Sequence, residues 1–477
     1  MIETHETDYL IVGCGAVGMA FADILISESD CSILIVDDHH QPGGHWNDAY
    51  PFVTLHQPSA YYGVSSRQLG NGEKDKVGLN KGLASLASGV EVRAYFNEVM
   101  QQQFLPTGRL HYFPMSRYLG EGRFKSLLNG SEHHVSVRKK TIDATFLKTS
   151  VPATHTPNFS IEEDVWFIPI NGLSDIKHPP DGYVIVGGGK TGIDAVLWLL
   201  QNHVDPDLIT WIMPRDGWLL DRKNTQSAPE FFNNSIGTQV AQFEAIAAAK
   251  SCEDLFDRLE AMGSLLRVDP SVRPQMFHGA TVSQLELEQL RRVKNIVRRG
   301  RVRELKKDEI VFENGSIATG ENVVHVDCSA RAIPNEEIKP IFENGLITPQ
   351  TVRSYQPIFS AALIAHVELT RETDDEKNQL CQVVPLPNHD TDWIKMMIPF
   401  MMNQYQWSRD PDIRSWLVEN RLDGFSRLVR GIAEDEEEKI AIMQRLRDAS
   451  MPAMANLHKL VAEIEGKGKQ HATTANQ

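Results

Sequence analysis

The chain has 477 residues, of which 41% are hydrophobic and 23% charged, ordinary proportions for a globular protein with room for two or three domains. Lys plus Arg is 48 against 63 for Asp plus Glu, a net charge of −15. That acidity argues against a nucleic acid as the main partner, because phosphate contacts need a basic surface.

The opening MIETHETDYL is acidic and lacks the basic-then-apolar order of a secretory leader. From Asp8 to Ile26, DYLIVGCGAVGMAFADILI reads as a β-branched strand, a Gly-x-Gly-x-x-Gly turn and an amphipathic helix, and SILIVDD (Ser32–Asp38) follows as a second strand. In such a β-α-β unit Gly13 permits the tight turn, Gly15 leaves space for a pyrophosphate, and Gly18 lets helix and strand close up. The helix N-terminus then turns its free N–H groups toward the phosphates. Asp37, nineteen positions after Gly18, stands where a carboxylate accepts hydrogen bonds from ribose hydroxyls.

His45–Gly63 (HWNDAYPFVTLHQPSAYYG) is dense in polar and aromatic groups and follows the ribose strand directly, which places it along the body of a bound dinucleotide. Gly72–Gly82 reads as a polar loop entering a short helix, and His133–Leu147 alternates like paired strands. Pro169–Gly182 is rich in Pro, Gly and Asp, as a boundary would be. GYVIVGGGKTGIDAVLWLL (Gly182–Leu200) then repeats the first pattern with Gly187, Gly189 and Gly192, followed by the strand LITWIMP. Lys190 and Thr191 suggest a P-loop, but that template needs glycine where Val184 stands. The second strand ends in Met213, Pro214 and Arg215 with no acid, and an Arg there can bind a 2′-phosphate, favouring NADPH over NADH.

Residues 237–265 and 282–299 have helical spacing, and the basic run Arg291–Lys307 reads as a solvated helix face. Glu304–Ala330 predicts a hairpin turning at Asn314–Gly315 and then a buried strand. Tyr355–His366 predicts a turn and a helix, either a buried apolar one or, in a chain that holds two dinucleotides, one whose N-terminus points at a cofactor. Residues 391–464 are mostly helical by pattern, with the methionines of Trp393–Tyr405 as core filler or as the lining of an adaptable apolar substrate pocket. The end from Gly466 onward is expected to be disordered. The five cysteines lie far apart without a Cys-x-x-Cys pair, so no redox dithiol is expected, and no metal site is assigned. No apolar run is long enough to span a membrane, and a reduced, cytoplasmic, soluble protein is expected.

These readings predict an α/β chain with two Rossmann-like units and a mainly helical C-terminal region. Residues 1–181 form the first part of an FAD-binding domain and 182–321 an NADPH-binding domain with a helical insertion. Residues 322–370 return to the FAD domain, and 371–477 form the helical region with its disordered tail.

GCGAVG with Asp37, GGHWNDAYP (Gly43–Pro51) and GGGKTG with Arg215 resemble the two-dinucleotide-binding flavoproteins, and among them the flavin-containing and Baeyer–Villiger monooxygenases. HVDCSA (His325–Ala330) stands where that group has an alanine-threonine-glycine turn. The resemblance implies FAD at the first glycine turn and NADPH at the second, with Gly44 and Trp46 lining the flavin and Lys190, Thr191 and Arg215 on the second nucleotide. It implies oxygen transfer from O₂ to a small organic substrate through a flavin C4a-hydroperoxide, for which His45, Asp48 and Gln57 are the candidate catalytic groups. Two other functions use the same architecture. One is an NADPH-dependent flavin reductase that passes electrons to a quinone or carrier without oxygen insertion, and the other is a non-catalytic NADPH-sensing flavoprotein.

Overall fold

The structure is a computed structural model that describes residues 2–330 and 337–474, with side chains as far as residue 466. The first unit runs β1 (Glu3–Val12), α1 (Ala16–Glu28), β2 (Ile33–Val36), α2 (Gly89–Val99), β3 (Leu110–Phe113), β4 (Ser116–Gly120), β5 (Arg123–Ser126) and β6 (Glu132–Asp143). β1 lies between β2 and β6, parallel to both, and β3 extends the sheet beyond β2. Every residue of β2 is buried, so its Ile-Leu-Ile-Val shows no alternation, as expected for a strand covered on both faces. α1 differs from the amphipathic helix expected. Its buried residues form an almost unbroken run from Gly18 to Leu25, because α7 (described below) covers the side away from the sheet. The one carboxylate in that run, Asp23, is satisfied by the Ser66 backbone N–H at 2.9 Å and the Ser66 hydroxyl.

The second unit comprises β7 (Ser160–Ile161), β8 (Phe167–Pro169), β9 (Gly182–Val186), α3 (Lys190–Gln201), β10 (Ile209–Ile212), β11 (Gly217–Asp221), α4 (Phe232–Ala248), α5 (Cys252–Ala261), β12 (Leu265–Leu266), β13 (Met276–Val282), α6 (Gln284–Leu290), β14 (Ile296–Val297), β15 (Val302–Leu305), β16 (Glu309–Phe312), β17 (Gly315–Ala318) and β18 (Val323–Asp327). Its central sheet is parallel throughout, in the order β14-β10-β9-β18-β8. β16 and β17 form the hairpin expected at Asn314–Gly315. The insertion carries a three-stranded sheet, β12-β11-β13, besides α4 and α5.

The chain then returns to the first sheet with β19 (Phe342–Glu343) and β20 (Leu346–Ile347), the latter parallel to β6. The helices α7 (Pro357–Thr370), α8 (Asp374–Leu380), α9 (Asp390–Arg409), α10 (Pro411–Glu419), α11 (Ser426–Arg430) and α12 (Glu437–Thr474) follow. Trp393, Met396, Met397 and Met401 of α9 pack with Ala453, Leu457 and Leu460 of α12 against α4 and α5, which makes these methionines core filler.

Several expectations are corrected. β8 and β18 belong to the second sheet, so the crossings between units lie before Phe167 and after Asp327 rather than at 182 and 322. The helical spacing of 282–299 holds only for α6, which a capping box of Ser283 and Glu286 starts. Past Leu290 the chain forms β14, because edge pairing with Trp211 and Ile212 overrides a weak local preference, and Arg298 is bound to Asp216 and Asp269 rather than solvated on a helix face. Gly72–Gly82 contains no helix; Asn80 ties it into a turn by bonding Asp75 at 2.7 Å and the Ala84 carbonyl at 3.0 Å. The tail from Gly466 is helical as far as Thr474, since α12 is already nucleated by its packed residues and each further turn adds hydrogen bonds. Residues 475–477 of that tail lie outside the described residues.

In both units the third glycine carries the helix-strand contact. A Cβ on Gly18 would stand 2.1 Å from the Gly13 carbonyl oxygen, and one on Gly192 would stand 2.1 Å from that of Gly187. A Cβ on Gly189 would meet nothing within 4 Å among the described residues. Gly18→Ala should therefore lose about 1–3 kcal/mol of stability through overpacking. Gly189→Ala should lose less than about 1 kcal/mol, the scale of a helix-cap change. Urea unfolding of both variants tests the contrast; equal losses would refute it.

Candidate functional site

Both glycine turns open into one cavity of about 1710 Å³. Gly13, Gly15, Asp37, Gly44, His45, Trp46 and Gln57 line it from the first unit, and Gly187, Gly189, Lys190, Thr191 and Arg215 from the second. Pockets for single small ligands run to roughly 1,000 Å³, so this volume accommodates more than one.

At the first turn, Gly13 has φ +99°, a left-handed conformation that favours glycine, and its N–H bonds the Val36 carbonyl at 2.8 Å. Gly18 lies outside the cavity and serves the helix-strand contact described above. The Asp37 carboxylate accepts the Cys14 backbone N–H, fixing the turn to the end of β2. It also accepts the His39 backbone N–H at 2.7 Å and lies 3.0 Å from His39 Nδ1. That bond lifts His39 to about 9, so the ring is a cation at neutral pH. The other ring nitrogen lies 2.9 Å from Asp48 Oδ2. Asp48, the third candidate catalytic group, caps the 3₁₀ turn Gly44–Asn47, and its carboxylate is engaged by His39, a ring that itself lines the cavity.

The Gly43–Gly44 segment packs directly on the first turn. Gly43 N–H bonds the Cys14 carbonyl at 2.9 Å, and a Cβ on Gly44 would stand 2.9 Å from Gly15 Cα. Trp46 is buried, and its indole N–H donates to Tyr62 Oη at 2.5 Å. Burial pushes His45 down to about 4, so its ring is neutral. His56 is also held well below its ordinary value, first by burial and then by Lys190 and Arg222. Gln57 reaches the cavity from the same stretch.

At the second turn, Gly187 has φ +135°, and its carbonyl accepts the Trp211 indole N–H at 2.8 Å. Gly189 caps α3 and faces open space. The Lys190 ammonium is bound to Asp194, which also accepts Tyr50 Oη–H at 2.5 Å. Lys190 is thus anchored to its own helix while lining the cavity. Arg215 donates to Asn388 Oδ1 at 3.0 Å, and His278 Nε2 lies 3.0 Å from the same oxygen. The neighbouring Asp216 is held by Arg298 at 2.7 Å and is absent from the cavity wall. Arg215 is therefore the charged group that the end of β10 presents there.

Local patterns gave no sign of Arg222, which is 1% exposed. Its guanidinium donates to the His56 carbonyl, Asn80 Oδ1 and the Thr281 carbonyl, each at 3.1 Å, and pairs with Glu286 at 2.8 Å. Its partners come from three separate stretches of chain, so no local spacing could reveal it. The expected helix N-terminus is in place: Gln356, Pro357 and Ile358 at the start of α7 line the cavity. Tyr61 Oη and Gln356 Oε1, both on the cavity wall, are buried without a hydrogen-bond partner among the described residues. Orphaned polar atoms of this kind, with a glycine cradle at each end, fit polar ligands lying along the wall.

No protein-family profile matches the chain. Solved structures similar to it include OTEMO in complex with FAD and NADP (TM-score 0.48, 13% identity, covering 76% of this chain and 83% of that one). An oxidized steroid monooxygenase bound to NADP (TM-score 0.46, 12% identity, 76% and 84%) and a flavin-containing monooxygenase from Stenotrophomonas maltophilia (TM-score 0.40, 16% identity, 75% and 89%) are similar at the same modest level. Other relatives are much closer in sequence. Uncharacterized proteins of Mycobacterium tuberculosis and Mycobacterium bovis are each 50% identical over 421 residues, covering 88% of this chain and 78% of theirs. The chain belongs to the family of these mycobacterial proteins.

Proposed function

We propose that this protein is an FAD-dependent oxidoreductase that takes hydride from NADPH and acts as a monooxygenase on a small organic substrate. The observation that carries the reading is the single cavity shared by two glycine turns, one followed by the carboxylate of Asp37 and the other by the guanidinium of Arg215. FAD supplies the redox chemistry when bound, and the protein's residues bind, orient and exclude water. Gly13, Gly15 and the α1 N-terminus would hold the flavin pyrophosphate, with Asp37 at the ribose. Gly187, Gly189 and Thr191 would hold the second pyrophosphate, and Arg215 the 2′-phosphate. Asp37 and Arg215 suit a hydroxyl pair and a phosphate respectively, which sets the order of the two nucleotides.

The oxygenase half of the reading is supported by the wall between the turns. His45 and His56 are neutral imidazoles there, and Gln57 offers an amide beside them. Such groups hydrogen-bond a polar reacting centre without adding a charge or a strong acid. This site needs no protein nucleophile.

Gly15→Trp should fill the pyrophosphate position and yield colourless protein, read from the absorption spectrum; full flavin retention would sink the first-site assignment. Arg215→Ala should raise KM for NADPH by on the order of ten- to a hundredfold, since a charged hydrogen bond is worth roughly 1.5–3 kcal/mol. KM for NADH should stay within about twofold, and equal use of both nucleotides by the unmodified protein would overturn the assignment. His45→Ala and Gln57→Ala should leave anaerobic flavin reduction nearly intact. In air each should release about two- to tenfold more hydrogen peroxide per NADPH, as the loss of one net hydrogen bond of roughly 0.5–1.5 kcal/mol implies. If the unmodified protein consumes NADPH yet oxygenates no ketone, amine or sulfide, the reductase function replaces the oxygenase.

A further inference from the structure

The other end of the first sheet carries a cluster that the cofactor site does not use. β1 and β6 run parallel, and Glu3 is registered opposite His133. Glu3 and His5, two apart on a strand, project from the same face. His5 Nε2 lies 3.1 Å from His133 Nδ1, which lies 3.5 Å from a Glu3 carboxylate oxygen, and the other Glu3 oxygen lies 4.0 Å from His5 Nε2. All three ligand atoms fall within 4.8 Å of one another.

We propose that Glu3, His5 and His133 form a zinc-binding site that bridges β1 and β6, with water as the fourth ligand.

The distances match the chemistry. Zinc bonds of about 2.0–2.2 Å in a tetrahedron place neighbouring ligand atoms roughly 3.3–3.6 Å apart. The separation of the two ring nitrogens and that of Glu3 Oε2 from His133 lie within a few tenths of an ångström of that range, and rotation of the Glu3 side chain, 67% exposed, can bring one carboxylate oxygen to both rings. Two imidazoles and one carboxylate are a set that zinc accepts. The rings are also held from behind. His133 Nε2 lies 3.0 Å from Ser131 Oγ, an outer contact of the kind that fixes the tautomer of a ligating histidine. His133 stacks on Phe124 at 4.6 Å with 5° between the planes, and His5 meets the edge of Phe113 at 5.0 Å. The exposed Glu3 carboxylate is set against both rings, so all three side chains converge on one point. β1 has 10 residues and Gly13 follows its far end, so the cluster lies about 30 Å from the glycine turn at roughly 3.3 Å per residue.

The test uses tag-free, full-length flavoprotein stripped with chelator and then titrated with Zn²⁺ against a chromophoric competitor. One ion per chain is expected. Ser131→Ala should weaken binding by about ten- to a hundredfold, the usual effect of removing an outer-shell partner. Glu3→Gln and His5→Asn should weaken it at least as much. Both alter exposed or half-buried side chains, so they avoid the stacked His133, whose loss threatens folding. Co²⁺ should give tetrahedral ligand-field bands with the native chain and lose them with His5→Asn. Zinc should also raise the Tm of the native chain and not of either ligand variant. Unchanged zinc affinity in Glu3→Gln and His5→Asn, or no uptake by the native chain, would overturn the site.

Discussion

The contact on which the architecture rests is the approach of a helix to a carbonyl oxygen, made twice. At Gly18 over Gly13, and at Gly192 over Gly187, the space for a Cβ is already filled. Because the helix sits this low on its strand, its first N–H groups open into the turn instead of clearing it. The paired strands hold the turns from below, through Gly13 N–H on Val36 and the Trp211 indole on Gly187. Asp37 extends the same rigidity outward by accepting the Cys14 N–H, so the end of β2 and the turn move as one piece. Everything placed in the cavity is measured from these two fixed points.

The C-terminal helices complete the cavity as well as the core. α9 and α12 cover the insertion, where Trp218, Phe256 and Trp393 pack with the methionines. The same region sends His389, Asp392, Leu422 and Phe425 to the cavity wall. A buried ion pair, Arg353 with Asp423 at 2.7 Å, and the Arg421 bonds to the carbonyls of Ala60, Tyr62 and Val64 lock it onto the first unit. Breaking either would leave a charge buried without its partner.

What could be read in the sequence was what is local. Both strand-turn-helix signatures, the acid at Asp37, the Arg at 215, the Asn314–Gly315 hairpin and the helix after Tyr355 depend on neighbours a few residues away. The missing parts depend on distant chain. β14 is a strand only because β10 lies beside it, and β18 sits in the second sheet because β9 offers a partner in register. Asp48 shares a stretch with His45, yet one 3₁₀ turn rotates it to His39. Asn388 reaches Arg215 from 173 residues away. Glu3 and His5 went unremarked in the sequence because their third member lies 128 residues from His5 and becomes a neighbour only through the pairing of β1 with β6.

Arg222 gives the cavity a mechanical property. One guanidinium grips the carbonyl of His56 on the first unit's lining segment and the carbonyl of Thr281 on the insertion, with Asn80 and Glu286 completing its shell. A planar group with fixed donor directions resists shear in its own plane far better than a flexible ammonium would. The two walls of the cavity are thus riveted through Arg222, and the bonds of Tyr50 to Asp194 and of the Ala84 N–H to Gln226 fasten them at further points. Sliding one wall over the other must break several directional bonds together, so the spacing between the two nucleotide cradles is held as a riveted seam holds two plates.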